Sequence, residues 1–324
     1  MAKPKVALYW AASCGGCEIC VIDIEEKILD VAAAFDIVLW PCVMDFKYKD
    51  VEAMEDGSIL VTLFNGAVRT SEQEYLAHLL RRKSKIMVAF GSCAHEGCLP
   101  ALANVSNKRE IFQIAYHDTP STDNPDGVEP QTKTTVPEGE LELPEFYDTV
   151  KTLDQVVDVD YYVPGCPPQS DKVWEVFDHL IQGKPLPEKG AILGAGTKTC
   201  CDECPRERKE KKIKKFYRPH EIIADPNECL LDQGILCMGP ATRDGCGAKC
   251  VTVGIPCRGC YGPPPGDKDQ GMKMISALSS VIDSEDPEEI DQIISQIADP
   301  LGTFYRFGLA HSTLRRVQGD VAQR

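Results

Sequence analysis

Five short apolar runs punctuate the first 185 residues: "KVALYWA" (5–11), "DIVLWPCV" (36–43), "SILVTLFNG" (58–66), "KIMVAFGSC" (85–93) and "VDYYVPGC" (159–166). Each is rich in β-branched or aromatic residues and predicts a buried strand. Apolar residues recur at helical spacing over 21–29, 72–80 and 173–181, between several of these runs. This βαβ rhythm predicts an α/β fold over residues 1–185, a flavodoxin-like doubly wound parallel sheet.

The rhythm fails between 106 and 157, where "DTPSTDNPDGVEPQTKTTVPEGELELPEF" is rich in Pro, Thr and acids. A long irregular insertion in a compact domain is an interface or functional loop, or else disordered. From 183 a linker, "GKPLPEKGAILGAGTKT", leads into residues 186–264, which hold nine of the sixteen cysteines but little apolar sequence. Such a domain, with little regular structure, needs metal to complete its core. The tail, 265–324, has no cysteine. Ile290, Ile293, Ile294 and Ile297 recur at helical spacing behind Asp286 and Pro287, a cap and a first helical residue. The stretch 299–307 reads as an extended arm, and the tail as a partner-docking element.

Charge narrows the class. With 35 basic and 50 acidic residues the net charge is −15, which argues against nucleic acid or an anionic membrane surface as partner. No run approaches 18 uninterrupted apolar residues, so direct membrane contact is not expected. The opening residues lack the pattern of an export signal, and a cytoplasmic location is the expectation.

Sixteen cysteines in a reducing compartment indicate metal or redox chemistry rather than disulfides. Cys14 and Cys17 follow the first predicted strand, Cys93 ends the fourth and Cys166 ends the fifth. In an open parallel sheet those carboxyl ends share one edge, where ligands bind. Four thiolates there suit zinc or an iron–sulfur cluster. Neighbouring glycines let the backbone approach and donate to cluster sulfur. Cys20, Cys42 and Cys98 read as small buried hydrophobes.

A second group lies in "CCDECPR" (200–206), "CLLDQGILCMGP" (229–240), "GCGAKC" (245–250) and "PCRGCYGP" (256–263). Cys201, Cys204, Cys229, Cys237, Cys246, Cys250, Cys257 and Cys260 suffice for two four-iron clusters. Spacing alone also permits zinc staples. The run "RERKEKKIKKFYR" (206–218) reads as a solvated helical face or a dock for an acidic electron acceptor.

"CGGC", "GSCA" and "PGCPP", followed by the ordered cysteine motifs of 200–263, resemble the small subunit of nickel–iron hydrogenases. The related quinone-reductase subunit of complex I typically has adjacent cysteines in the first motif, where Gly15 and Gly16 intervene here. The resemblance implies three 4Fe-4S clusters. The proximal one falls to Cys14, Cys17, Cys93 and Cys166. The distal one falls to Cys201, Cys204, Cys229 and Cys237, and the medial one to Cys246, Cys250, Cys257 and Cys260. Cys201 stands where the periplasmic branch has a histidine, and Cys250 adds a fourth medial cysteine to that branch's three. Cys200 competes with Cys201 as the ligand.

Four cysteines are then left, Cys20, Cys42, Cys98 and Cys200, and they do not form two CxxC pairs. The hydrogen-splitting centre is therefore expected on a separate large subunit, leaving electron conduction to this chain. The absence of an export signal and the tail resemble the cytoplasmic methyl-viologen-reducing branch of methanogens. That branch implies a small iron–sulfur acceptor subunit and heterodisulfide reductase as further partners. Glu18 is either a proton relay near the subunit interface or a carboxylate at a helix start. His95 and His117 have no partner that sequence identifies. The competing function is an iron–sulfur subunit of a quinone- or ferredoxin-linked oxidoreductase.

Overall fold

A computed structural model describes residues 3–209 and 212–314. Its strands are β1 (Lys5–Trp10), β2 (Asp36–Leu39), β3 (Ile59–Asn65), β4 (Val68–Thr70), β5 (Ser84–Phe90), β6 (Lys133–Val136), β7 (Gly139–Glu142), β8 (Phe146–Lys151) and β9 (Tyr161–Val163). The five predicted apolar runs become one parallel sheet in the order β2-β1-β3-β5-β9. That is the flavodoxin-like order. Alternation along β1 explains why the runs are continuously apolar: Val6 and Leu8 are buried in one core, Ala7 and Tyr9 in the core on the other side. A sheet covered on both faces has no polar side to advertise.

The helix Ser71–Lys83 starts at a reciprocal cap. Gln73 N donates to Thr70 Oγ1 at 3.4 Å, and Thr70 N donates back to Gln73 Oε1 at 3.1 Å. Helix Ser170–Ile181 covers the opposite face through Val173 and Phe177. The helix expected over 21–29 is instead two pieces, Gly16–Ile22 and Ile28–Ala34, because Glu25 takes a φ of 60°, which no right-handed helix accommodates. Val21, Ile24 and Val31 still face one core, so the apolar spacing survives the break.

Between the fourth and fifth sheet strands the chain is folded. Helix Lys108–Gln113 leads to the hairpin β6–β7, and β8 pairs antiparallel with β4. Buried Asn104 holds β8 by accepting from Val150 N at 2.8 Å and donating to Val150 O at 2.9 Å.

The cysteine-dense region has little regular structure beyond the short helices Cys200–Glu203 and Lys249–Thr252. It shares one core with the tail: Leu230, Leu231, Ile235 and Val251 pack with Met274, Leu278, Ile293 and Phe304. Helix Pro287–Ser295 forms as expected, with Glu288 N donating to Asp286 Oδ1 at 3.0 Å. The extended arm expected over 299–307 is corrected to a helix, Pro300–Phe304, capped by Asp299 Oδ1, which accepts from Gly302 N at 2.9 Å. The described part of 206–218 is likewise not helical. It is a strap whose Ile213 and Phe216 are buried, and whose Lys209 and Lys214 pair with Glu228 and Asp283. No helix among the described residues is long and apolar enough to cross a membrane.

Candidate metal centres

The first site is built where β1, β5 and β9 end. Gly91 N donates to Val163 O at 2.8 Å and Ser92 N to Gly165 O at 2.9 Å, locking the loops that carry Cys93 and Cys166 side by side. Cys14 lies in the loop after β1 and Cys17 in the first turn of helix Gly16–Ile22. At Gly91, with φ 82°, an added Cβ would lie 2.3 Å from the sulfur of Cys17. Only glycine permits that approach. Burial, with the neighbouring Cys166 and Cys14 thiols adding to it, pushes the Cys17 thiol well above its ordinary pKa.

Three of the surplus cysteines border this site. Cys20 is buried and its thiol meets the carbonyl of Cys17 at 3.0 Å. Cys98 is fully buried, with its sulfur 3.6 Å from that of Cys166. Cys42 is exposed, which corrects its reading as a buried hydrophobe: it lies in the turn after β2, and its thiol reaches Glu18 Oε2 at 3.6 Å. Glu18 is 3% exposed. Its carboxylate accepts from Trp40 Nε1 and, at 3.2 Å, from Asn65 Nδ2. It is not a solvated residue at a helix start; burial raises its pKa, against the pull of those donors. His95 is buried beside Tyr162, with ring centres 4.6 Å apart, and burial draws its pKa down to about 3. His117 pairs with Glu129 at 2.9 Å, far from the cysteines in sequence.

The second set expected from the sequence is Cys246, Cys250, Cys257 and Cys260. Both carboxylate oxygens of Glu203 are spent on the loop around Cys246, accepting from Gly245 N at 2.8 Å and Gly247 N at 3.0 Å. Cys246 packs against the core that contains Cys257, and Ile255 N donates to Cys250 O at 2.9 Å in the loop that leads from Cys250 to Cys257. Cys260 also joins the first site: it packs with Cys166 against Cys93, Cys98 and Phe307, and its carbonyl accepts from Ser92 Oγ.

Cys201, Cys204, Cys229 and Cys237 line a single cavity with Gly239, Arg206 and Val251. A Cβ at Gly239 would lie 2.9 Å from the sulfur of Cys201 and 3.7 Å from that of Cys237. Arg206 is buried and donates to three carbonyls, those of Val251, Asp225 and Glu228, tying together the loops on either side of the cavity. Cys257 N donates to the sulfur of Cys237 at 3.3 Å, joining this site to the second. Of the adjacent pair, Cys201 faces Gly239, while Cys200 is buried and lines the wall of the same cavity. Glu203 and the buried Arg206 escape a reading of the sequence, since neither stands at a fixed spacing from the cysteines it serves.

The donor sets fit iron–sulfur clusters. They are all thiol, they lie against backbone where a Cβ would intrude on sulfur, and backbone N–H groups point at sulfur. Among the described residues no group of three or more His, Cys, Asp or Glu is arranged to hold a metal ion.

Fold and thiol sets together define an iron–sulfur protein on a flavodoxin-like scaffold. Residues 14–180 match the family described as NADH ubiquinone oxidoreductase, 20 Kd subunit. The chain is 44% identical to the iron-sulfur subunit of the F420-non-reducing hydrogenase of Archaeoglobus profundus, over 96% of this chain and 98% of that one. It is 36% identical to the corresponding F420-non-reducing hydrogenase chain of Methanothermobacter marburgensis, over 95% of this chain and 94% of that one. A [NiFeSe]-hydrogenase chain of Dm. baculatum shares the fold, with TM-score 0.50 at 19% identity, over 82% of this chain and 97% of that one. The chain belongs to the family of iron–sulfur small subunits of F420-non-reducing, nickel–iron hydrogenases, and is an oxidoreductase subunit.

Proposed function

We propose that this chain is the electron conduit of a cytoplasmic nickel–iron hydrogenase, holding three 4Fe-4S clusters in series. One observation carries the reading: the three thiol sets adjoin in order, the Cys260 carbonyl accepting from Ser92 beside Cys93 and Cys257 N donating to the Cys237 sulfur. When bound, such clusters carry single electrons. The residues of this chain hold them, with Cys14, Cys17, Cys93 and Cys166 at the first, Cys246, Cys250, Cys257 and Cys260 at the second, and Cys201, Cys204, Cys229 and Cys237 at the third.

Electrons would enter from a large subunit that splits hydrogen. Support comes from an apolar rim beside the first site: Trp10 is 41% exposed, Ile19 55%, Ile22 46% and Val43 50%. Exposed apolar surface around a redox centre marks a protein interface. Glu18, buried behind that rim, is assigned as a proton relay toward it. Electrons would leave at the third site for a small iron–sulfur acceptor subunit and heterodisulfide reductase.

The test is to isolate the native complex anaerobically and admit hydrogen. The proposal expects nickel on a partner chain and hydrogen-driven bleaching of iron–sulfur absorbance on this one. A complex without nickel, or with absorbance indifferent to hydrogen, would overturn it.

A further inference from the structure

Three arginines from three separate segments line one cavity of 360 Å³. Arg218 ends the strap 206–218, Arg258 follows Cys257, and Arg306 lies just beyond the helix Pro300–Phe304. Leu236, which immediately precedes Cys237 of the third set, forms part of the same wall. Tyr217 N donates to Gly234 O at 2.8 Å, holding the strap against the segment that leads to Cys237. The cavity is thus built beside the thiol set from which electrons would leave.

Its charge is not balanced from within. One carboxylate lines the cavity, that of Asp299, and it accepts from Gly302 N at 2.9 Å. Glu221 accepts from the backbone N of Arg218 at 2.6 Å, not from its guanidinium. Arg306 Nε donates to Gly302 O at 2.8 Å, and among the described residues no ion pair reaches Arg218, Arg258 or Arg306. The nearby lysines differ: Lys209 and Lys214 pair with Glu228 and Asp283, and Lys215 lies over the Tyr217 ring at 4.7 Å. A chain with 50 acidic and 35 basic residues therefore leaves three guanidiniums together without a carboxylate.

We propose that this cavity docks an acidic segment of the protein that takes electrons from the third site, its carboxylates entering among Arg218, Arg258 and Arg306. The inference rests on the conduction reading above and names the surface through which the acceptor binds. A guanidinium grips a carboxylate through two parallel N–H bonds, which fixes orientation as a lysine cannot. A protein segment, not a free small anion, is favoured by the apolar surface in the same loops: Ile255, 52% exposed, precedes Arg258, and fully exposed Ile223 follows Arg218. Apolar surface beside arginine is the composition of a protein interface. Elsewhere the acidic surface repels an acidic partner, so the patch selects orientation as well as raising the encounter rate.

The test has two arms, both on the native complex. In the first, the complex carrying Arg258→Lys is treated with a water-soluble carbodiimide, which joins an amine to a carboxylate in contact with it, and the products are mapped by mass spectrometry. An amide bond from position 258 to an Asp or Glu of a partner chain is expected. A bond to Asp299 alone, or none, overturns the inference. In the second, Arg218→Gln with Arg258→Gln is expected to slow hydrogen-driven reduction of the acceptor chain about tenfold at low salt, with full iron and a loss that shrinks as salt rises, whereas Arg218→Lys with Arg258→Lys keeps most of the rate. Equal rates in wild type and both double variants overturn it. If hydrogen fails to bleach the iron–sulfur absorbance of the wild-type chain, the conduction reading has failed instead, so the two failures are told apart.

Discussion

The carboxylate of Glu203 accepts from the backbone of Gly245 at 2.8 Å, and its second oxygen accepts from Gly247, so the loop carrying Cys246 hangs on a residue 43 positions earlier. The acid comes from the helix that bears Cys200 and Cys201. One side chain therefore fixes the distance between two thiol sets. Glu203→Ala removes both acceptors, at a cost of about 0.5–1.5 kcal/mol per bond, since the Gly245 bond is part-buried and the Gly247 bond exposed. Reduced iron at the middle site, read by iron counting and electron paramagnetic resonance, is expected, with the first site unaffected. Full middle-site iron in this variant would show that the loop holds itself.

Gly91 makes the closest approach of backbone to a thiol at the first site. Gly91→Ala combines an unfavourable φ of 82° with a Cβ 2.3 Å from the Cys17 sulfur. With ψ at 161° the residue sits in a region essentially reserved for glycine, where the backbone term alone costs about 1–3 kcal/mol, and the collision adds to it. The expected outcome is loss of about four irons of about 12, with the tail helices retained by circular dichroism. Wild-type iron content would mean that Cys17 moves freely and is not held for a cluster.

Glu18 accepts from Trp40 and Asn65 in a buried position beside the apolar rim. Glu18→Gln keeps the shape and removes the ability to release a proton. If the residue relays protons, hydrogen oxidation by the complex falls by about 100-fold, the low end for a positioned proton carrier. Iron content and electron transfer from dithionite to the acceptor stay as in the wild type. Unchanged hydrogen oxidation would leave Glu18 a structural residue only.

Asp160 opens the fifth sheet strand and is engaged on several sides. Its carboxylate accepts from Arg81 Nη1 at 2.6 Å, Met87 N at 2.8 Å and Lys189 Nζ at 2.5 Å. Burial acts to raise its pKa, but the Lys189 and Arg81 hydrogen bonds and the Met87 amide outweigh it, and the folded-state pKa is lowered. A lowered carboxylate pKa gives stability that is present above the ordinary value, about 3.9, and lost as pH falls through the folded-state value. Asp160→Asn is therefore expected to destabilise the fold at neutral pH, by about 1 kcal/mol because Lys189 lies in solvent and Arg81 is only partly covered, read by denaturant unfolding. The gap to wild type should close below about pH 4. A gap independent of pH would show that shape, not charge, matters there.

The sheet was legible because its strands are buried on both faces and read as unbroken apolar runs, as β3 does. The break at Glu25 was hidden by its own regularity, since Val21, Ile24 and Val31 face one core across it and preserve a helical period. The helix Pro300–Phe304 carried the same Asp-Pro signature as Pro287–Ser295, but it is only five residues long, too few for periodicity to show. Strand ends placed Cys93 and Cys166 in adjacent loops, which Gly91 N to Val163 O and Ser92 N to Gly165 O hold together. Which of Cys200 and Cys201 faces Gly239 was not legible, because neighbours at a helix start project in different directions and sequence gives both the same letter. Glu203 was illegible for another reason: a carboxylate that accepts from distant backbone leaves no pattern.

Whether this chain is a three-cluster conductor is tested most directly by counting iron, acid-labile sulfide and zinc per chain in the anaerobically purified complex. Three four-iron clusters predict about 12 irons and about 12 sulfides on this subunit, with no zinc. About four irons, or zinc in place of iron, would contradict it.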